Sequence, residues 1–381
     1  MHTSATEERT ALVEAVRDFA ATALAPHAGA WDAEKHFPVD TLRQAGDLGL
    51  GGVYASEDVG GSALSRMDAV AIFEELAKGD TTIAAYISIH NMVVWMIDTF
   101  GDALQRARWL PRLTRMEDLG SYCLTEPGAG SDAAAITTAA RREGDEYVID
   151  GVKQFISGAG SSAVYVVMAC TGMPGSKGIS AIVVPAGTPG LSFGPNEKKM
   201  GWNAQPTRQV VFDGVRVPVS HRLSAEGDGF TIAMRGLNGG RVNMGAVSLG
   251  GAQWTLDRAV AYVQERETFG LPLSANQSVV FTLAEMETQL QAARALLQRA
   301  AAKMDDGAAD APAACALAKR FATDAAFQVA NEALQLHGGY GYLHDYGIER
   351  VVRDLRVHQI LEGTNEMMKL IVGRALLAGT R

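Results

Sequence analysis

One acidic residue near the C-terminus lies in a sequence context that could serve proton-transfer chemistry. Glu362 precedes a glycine, Gly363, in a short non-helical stretch between two helical patterns, within the segment RVHQILEGTNE. Thr364 and Asn365 both suit the N-cap of the second helix, and Glu366 adds an acid to its first turn. The amides at such a helix start can hold an anion, for example a diphosphate. The segment therefore predicts either a general base beside a phosphate site or a capped loop with a surface glutamate.

Five other passages place glycines beside polar or aromatic residues, which suits a flat or phosphorylated ligand. Glycine allows close approach to the backbone, while Arg266 can pair with phosphate and Phe269 can stack on a ring. Gly239 and Gly240 lie in a helical pattern at a cost of about 1 kcal/mol each, which predicts a close approach or a kink. Singly, each passage also fits a turn or a helix end, and His337 fits a satisfied helix-end histidine. The passages are YCLTEPGAGSD (122–132), FISG (155–158), LNGGR (237–241), RETFGLPLSANQ (266–277) and QLHGGY (335–340).

The composition predicts a globular protein of two or three domains. The 381 residues are 47% apolar and 20% charged, with a formal net charge of −9. This charge argues against nucleic-acid or anionic-membrane surfaces, which need clustered lysine and arginine. A local basic pocket would still accept a polyanionic substrate. The three cysteines, Cys123, Cys170 and Cys315, lack metal-ligand spacing, so we expect no metal site and a reducing compartment.

Two segments bear on membranes and targeting. The N-terminus carries acidic residues where a signal peptide needs basic ones. The segment 81–100 is apolar enough to span a membrane, but His90, Asn91 and Asp98 would be costly in lipid. We therefore expect a buried core helix, no stable membrane insertion and a cytoplasmic protein.

The elements that must position these residues fall into three blocks. Residues 1–119 show helical periodicity, residues 120–224 show β-branched and aromatic runs, and residues 225–381 are helical again. Strands are predicted at 147–149, 164–168, 179–184 and 209–212, with hairpin turns at the Asp-Gly pairs 150–151 and 213–214. There is no βαβ alternation and no GxGxxG, which argues against a Rossmann domain.

Two long helices dominate the last block and predict an antiparallel bundle. The first is predicted over 276–304, and the second begins at Pro312 and ends before Gly338. A helical, β, helical order is typical of an α+β fold.

Together, in this order and spacing, the glycine-containing passages resemble the acyl-CoA dehydrogenase family over essentially the whole chain. The resemblance implies an N-terminal helical domain, a middle antiparallel β domain and a C-terminal four-helix bundle, assembled as a homotetramer. It also implies FAD as cofactor, an acyl-CoA substrate and an electron transfer flavoprotein as electron acceptor. The segments that carry it are YCLTEPGAGSD, FISGAG, ERETFGLPL, QLHGGYGY and RVHQILEGTNE.

The resemblance divides the expected FAD contacts into three groups. A flavin-side group on the middle domain comprises Tyr122, Leu124, Thr125, Gly130, Ser131, Phe155, Ile156 and Ser157. An adenosine-side group, implied to reach FAD across a subunit interface, comprises Arg266, Phe269, Asn276, Gln277, Gln335, Leu336, His337, Gly338 and Gly339. The helix start adds Thr364, Asn365 and Glu366. Many relatives have tryptophan at the position of Phe155.

Glu362 matches the family's catalytic base. The resemblance implies that it takes the α-proton of the thioester while the β-hydrogen passes as hydride to flavin N5. Hydrogen bonds from the Glu362 amide and a ribityl hydroxyl of FAD would stabilise the developing enolate. Some relatives carry the base just before the arginine of the LNGGR-like segment. Here that residue is Gly240, which has no acid, and this favours Glu362.

Substrate contacts are implied at Ser131, Asn238, Gly239, Gly240, Arg241, Gly363 and Arg374. Arg241 and Arg374 would be the basic groups for CoA, and residues 86–95 should form part of the acyl pocket wall. The chain is most similar to the branch of the family that acts on isobutyryl-CoA, which also has phenylalanine at the position of Phe155. This implies methacrylyl-CoA as product and a step of valine catabolism. The alternatives are another short acyl-CoA (2-methylbutyryl or butyryl), an acyl-CoA oxidase, or a non-catalytic flavoprotein that binds DNA or acts as a scaffold.

Overall fold

The structure is a computed structural model that describes residues 2–173 and 175–379. Within those ranges the chain begins with six α-helices before the first strand. Asp80, between the fourth and fifth helices, caps the fifth because its side chain accepts hydrogen bonds from the amides of Thr82 (2.8 Å) and Ile83 (2.9 Å). The helices are α1 (His2–Phe19), α2 (Ala28–Glu34), α3 (Val39–Asp47), α4 (Arg66–Gly79), α5 (Thr81–Phe100) and α6 (Ala103–Thr114).

Helix α5 is a core helix, as the sequence predicted. Among the described residues it is the helix long and apolar enough to cross a membrane, and most of its side chains are instead buried inside the protein. The polar residues at its centre are satisfied internally. Asn91 donates to the carbonyl of Leu50 (2.7 Å), and His90 contacts the carbonyl of Leu113 (2.9 Å).

An eight-stranded sheet follows in the order β6-β7-β3-β2-β4-β5-β8, with β1 paired to β4. The four predicted strand segments lie within β3, β4, β5 and β7, so those predictions are confirmed. Along β4, Val164, Val166 and Met168 face the helices, while Tyr165 and Val167 face a second core. The strands are β1 (Gly120–Cys123), β2 (Ala139–Glu143), β3 (Glu146–Ser157), β4 (Val164–Cys170), β5 (Ile179–Pro185), β6 (Leu191–Phe193), β7 (Thr207–Pro218) and β8 (Arg222–Leu223).

Two details of the predicted β domain are wrong. The sheet is mixed, because β4 runs parallel to both β1 and β2, whereas an antiparallel sheet was expected. The two Asp-Gly pairs are not hairpin turns, because they lie opposite each other inside the long strands β3 and β7, where the register shifts. Asp150 accepts a hydrogen bond from the Gly214 amide (2.8 Å), and both glycines have positive φ. This is a bulge, which has the same local sequence preferences as a tight turn.

The C-terminal block is a helical bundle, as predicted. Its longest element, α7, spans 37 residues without interruption and packs against α4, α5, α8 and α9. Pro312 lies in the first turn of α9, where its missing N–H costs no helical hydrogen bond. The elements are α7 (Gly229–Glu265), β9 (Glu267–Thr268), β10 (Leu271–Pro272), α8 (Gln277–Asp305), α9 (Ala311–His337), α10 (Ile348–His358) and α11 (Asn365–Leu377). The domain boundaries at 119/120 and 224/225 stay a prediction.

Helix α10 is fixed where the three blocks meet. Its buried Asp354 accepts hydrogen bonds from the amide of Trp202 (2.6 Å) and the hydroxyl of Thr81 (2.8 Å). One turn later, the indole of Trp202 donates to Nε2 of His358 (3.1 Å), and Nδ1 of that histidine lies 2.7 Å from the hydroxyl of Ser248. Since Nε2 accepts, Nδ1 carries the proton. The last turn of α10, which leads to Glu362, is therefore held by α5, α7 and the β domain.

Candidate active site

Two cavities of about 410 Å³ and about 430 Å³ meet at Glu362. We call them the first and second cavities. Both are lined by Ile89 of α5, Phe155 and Ser157 of β3, and Glu362 itself. The meeting point therefore collects one helix from the N-terminal block, the end of a middle-block strand and the loop between α10 and α11.

The loop places Glu362 through an unusual backbone. Glu362 has φ +57° and Gly363 has φ +89°, so the chain passes through the left-handed region twice in succession. This is costly for a non-glycine residue and needs support from its surroundings. Part of that support is Arg241 of α7, whose Nε donates to the carbonyl of Glu362 (3.1 Å). Thr364 then caps α11 by accepting from the amide of Met367 (3.4 Å).

The carboxylate of Glu362 is electrostatically perturbed. Its Oε2 is buried without a hydrogen-bond partner among the described residues, although the residue as a whole is only half-buried. Burial raises the pKa of Glu362 to about 7, while Arg241 and Lys319 act in the opposite direction. Burial and the nearby Glu362 also raise the pKa of Tyr122, whose hydroxyl has no partner within the described ranges. A carboxylate in this state can accept a proton near neutral pH.

The glycines of LNGGR lie within the uninterrupted helix α7 and provide space for neighbouring side chains. A Cβ on Gly240 would lie 2.6 to 2.8 Å from the carboxylate atoms of Glu362. A Cβ on Gly239 would lie 2.6 Å from the guanidinium of Arg66. The position where some relatives are implied to carry the base thus faces the carboxylate of Glu362 directly.

All eight residues of the flavin-side group line the first cavity. Phe155 has φ +59° at a register irregularity near the end of β3, and the residue is 62% exposed while Ile156 is buried. Glu126 fixes the loop between β1 and β2, because its carboxylate accepts hydrogen bonds from the amides of Thr137 (2.7 Å) and Thr138 (2.9 Å). Lys153 donates to the same carboxylate (2.8 Å), and although burial opposes it, this cation lowers the pKa of Glu126 to about 2.

Four of the predicted substrate residues also line the first cavity, namely Ser131, Arg241, Gly363 and Arg374. Asn238 lines a neighbouring cavity instead, and its side chain accepts a hydrogen bond from Nη1 of Arg241 (2.8 Å). Arg241 is almost fully buried, whereas Arg374 is exposed. This cavity is therefore lined by one buried arginine and one solvent-facing arginine.

The adenosine-side group lies elsewhere, since its members line neither cavity at Glu362. Arg266 and the QLHGGY segment do come together, because the Arg266 guanidinium carbon lies 5.7 Å from the centroid of the Tyr340 ring. His337 contacts the carbonyl of Ala333 (2.7 Å) and stacks on Tyr262, as expected of a satisfied helix-end histidine. Phe269 is fully exposed.

The three residues at the start of α11 differ in their burial and contacts. Asn365 is buried and donates to Asp324 (2.7 Å), whereas Glu366 is exposed. Neither residue lines a cavity at Glu362, and Thr364 contributes its capping hydroxyl.

Sequence reasoning missed much of the apolar lining. Phe230, Met234 and Leu237 share a face of α7 with Arg241, at a spacing of four and three residues. Met367 and Ile371 share a face of α11 with Arg374. A helical face that carries apolar residues and ends in an arginine was a usable signal. The expectation that residues 86–95 would contribute a wall is matched by Ile89 and Met92, which line the first cavity.

The fold and the site define a class of protein. Family models match the chain from end to end: the acyl-CoA dehydrogenase N-terminal domain at residues 6–117, the middle domain at 121–215 and the C-terminal domain at 227–377. The chain belongs to the acyl-CoA dehydrogenase family.

Comparison with individual proteins shows which members of the family this chain resembles. The chain is 52% identical to mitochondrial isobutyryl-CoA dehydrogenase of Bos taurus, over 97% of this chain and 89% of that protein. Among solved structures it resembles butyryl-CoA dehydrogenase from Megasphaera elsdenii with a TM-score of 0.94 and 38% identity, covering 97% and 98% of the two chains. It also resembles a chain from the structure of the electron transferring flavoprotein of Acidaminococcus fermentans (TM-score 0.95, 37% identity, 97% and 98% coverage).

The space at Gly240 can be tested by filling it. We expect Gly240→Ala to displace the carboxylate of Glu362 and lower kcat about 100-fold, since a shift of roughly 1 Å in a reacting group costs that much. The measurement is steady-state turnover of an acyl-CoA, with a melting curve to show that the variant folds. Gly29→Ala is the control, because a Cβ there meets nothing within 4 Å. Parental kcat in a folded Gly240→Ala protein would contradict the assigned contact.

Proposed function

We propose that this protein is an FAD-dependent dehydrogenase of short branched acyl-CoA thioesters, converting isobutyryl-CoA to methacrylyl-CoA in valine catabolism. The observation that carries the proposal is the carboxylate of Glu362, which is buried, unpartnered at Oε2 and located where two cavities meet. The choice of acyl group is supported by the 52% identity to bovine isobutyryl-CoA dehydrogenase.

The residues around Glu362 fit a flavin. The Tyr122 hydroxyl and Glu362 Oε2 are buried at the first cavity without partners among the described residues, and buried polar atoms rarely stay unpaired. Phe155 and Ser157 line both cavities, so both residues would lie beside a flat ring bound there. We assign the flavin-side group of residues to the flavin ring of FAD. Bound FAD would accept the hydride from the substrate β-carbon.

Glu362 supplies the acid–base step by taking the α-proton onto its carboxylate. An ordinary glutamate is too weak a base for a carbon acid, whereas a group with a pKa near the working pH combines ionisation with proton affinity. Burial gives Glu362 that property. When a bound substrate closes the cavity, the remaining exposure of Glu362 is lost and burial raises its pKa further.

The main-chain amide of Glu362 is available to the thioester oxygen. In the described part of the chain it has no hydrogen-bond acceptor, whereas the amides of Leu361 and Asn365 donate to the carbonyls of Val357 and Gln359. A fixed N–H directed at the oxygen where negative charge develops lowers the barrier to proton removal. The same residue would therefore provide both the base and an oxyanion contact.

The CoA portion has complementary charge nearby. Arg374 is an exposed cation at the first cavity, and Arg241 is a buried one whose Nη1 is engaged by Asn238. A pair of arginines gives an acidic protein a local seat for a polyanionic ligand. Ser131 lines the same cavity with a hydroxyl.

We further propose that each FAD site is completed by a second copy of the chain within a homotetramer. The adenosine-side group lies away from Glu362, so one chain does not bring both groups to one place. Large apolar side chains near that group are exposed, including Phe269, Leu271, Phe281 and Tyr342. Exposed apolar surface of this kind is typical of an interface.

The expected electron acceptor is an electron transfer flavoprotein. Support comes from the similarity to a chain in the solved structure of the Acidaminococcus fermentans electron transferring flavoprotein. Oxygen consumption in place of transfer to a dye or to this acceptor would instead indicate an oxidase. The cytoplasmic location stays a prediction.

The reaction is tested by anaerobic titration of the purified holoprotein with a panel of acyl-CoAs. We expect isobutyryl-CoA to bleach the visible flavin band at lower concentration than butyryl-CoA or 2-methylbutyryl-CoA. A different order would change the acyl group but not the reaction. If no acyl-CoA reduced the flavin, the protein would not be a dehydrogenase.

The base is tested by Glu362→Gln and by pH. We expect the variant to retain FAD and acyl-CoA binding but to lose flavin reduction. In the parent protein, kcat/KM should fall about tenfold per unit as pH drops below about 7, because the carboxylate is protonated below its pKa. Glu285→Gln, on the exposed surface of α8, is the control. Parental flavin reduction in Glu362→Gln would exclude Glu362 as the base.

The shared site is tested by mixing two inactive chains. Glu362→Gln keeps Arg266, and Arg266→Ala keeps Glu362. A mixed pair therefore holds one intact site if the site takes these residues from different chains. Random co-assembly should recover about a quarter of parental turnover, because half of the pairs are mixed and each has one working site in two. Mixtures no more active than the separate variants would show that each chain forms its own site.

A further inference from the structure

Lys319 of α9 is a buried lysine that the reaction scheme leaves unexplained. Its side chain has no solvent exposure. Its ammonium donates to the carbonyl of Gly363 (2.9 Å) and to Oδ1 of Asn365 (2.9 Å), and both acceptors are neutral. A buried charge without a hydrogen-bonded carboxylate is costly. The fold therefore places this cation at a cost, beside the loop that carries Glu362.

The loop is held by two cations on two consecutive carbonyls. Arg241 donates to the carbonyl of Glu362 from α7, and Lys319 donates to the carbonyl of Gly363 from α9. Glu362 and Gly363 are the two consecutive loop residues that have positive φ. A strained backbone persists when its surroundings fix it at several points, and here the fixed points are the carbonyls of the two successive peptide bonds that follow the base.

Asn365 connects Lys319 to the rest of the bundle. Its side-chain oxygen accepts from Lys319, while its amide nitrogen donates to Asp324 (2.7 Å) and to the hydroxyl of Thr323 (3.0 Å). Asp324 also accepts from Gln359 (2.9 Å), in the turn after α10. The network thus ties α9 to the chain on both sides of Glu362.

We propose that Lys319 is a positioning residue for Glu362, which fixes the loop backbone through Gly363 and favours the ionised carboxylate through its charge. The inference rests on the proposed role of Glu362 as the base. The charged or titratable groups that act on Glu362 are Arg241, Lys319 and Tyr122. Those that act on Lys319 are Glu362, Arg241, Asp324, Glu366 and His358. Burial lowers the pKa of Lys319 to about 8, so the ammonium persists at neutral pH.

The test compares Lys319→Met, which removes the charge and both hydrogen bonds, with Lys319→Arg, which retains the charge. For Lys319→Met we expect kcat to fall at least about tenfold, with KM for the acyl-CoA within about threefold of the parent. The acid limb of the pH profile should move up by about one unit, because removing a nearby cation disfavours the carboxylate. Lys319→Arg should keep the parental acid limb. Lys303→Met, on α8 and paired with Asp310, is the matched control.

A second measurement does not depend on turnover. The infrared band of the protonated carboxyl, with Glu362→Gln as the blank, titrates Glu362 directly and should shift by the same amount in Lys319→Met. If the parent reduces no flavin with any acyl-CoA, the proposed function fails while this titration still tests the coupling. An unchanged titration in folded Lys319→Met would overturn the inference. If that variant does not fold, Lys319→Gln, which removes the charge but keeps a hydrogen-bond donor, decides, and a parental carboxyl titration there would overturn the inference.

Discussion

The carboxylate of Glu362 is subject to two opposing requirements, and the structure around it satisfies both. In its proposed role as a base, the carboxylate must be buried to gain proton affinity, yet it must still ionise. Burial raises its pKa, whereas Arg241 and Lys319 limit the rise. Neither cation is hydrogen-bonded to the carboxylate, since Oε2 has no partner in the described residues and both cations donate to backbone carbonyls instead. Charge is supplied nearby without occupying the atom that must take the proton.

That arrangement depends on how the three blocks of the chain pack. Asp354 and His358 hold α10 through Trp202, Thr81 and Ser248, which belong to three different parts of the sequence. Burial lowers the pKa of His358 to about 3, so this network keeps its neutral imidazole across the working pH range. Buried polar networks specify one geometry when every member is satisfied. Glu362, the proposed base, is therefore positioned by long-range contacts, although its sequence motif is short.

Local sequence patterns predicted where strands lie, but not the features that depend on how distant segments pack together. The strands at 147–149 and 164–168 were identifiable because β-branched runs report burial directly. The Asp-Gly pairs were misassigned because a bulge and a hairpin turn both need a residue at positive φ. Parallel pairing of β1 with β4 has no local signature, since it depends on which strands meet. For the same reason the sequence pointed to Glu362 but gave no indication of Lys319, whose role appears only when α9 packs beside the loop.

Helix α7 shows how packing and chemistry share one element. Its glycines were ambiguous in sequence between a kink and a close approach, and the structure shows a close approach at both. Gly240 leaves room for the carboxylate of Glu362, so a side chain at position 240 would occupy the space that this carboxylate now fills. Relatives that the resemblance associates with a base at that position would bring their carboxylate to the same place from α7. Positions 240 and 362 are thus far apart in sequence but adjacent in space, and this chain has glycine at the first and glutamate at the second.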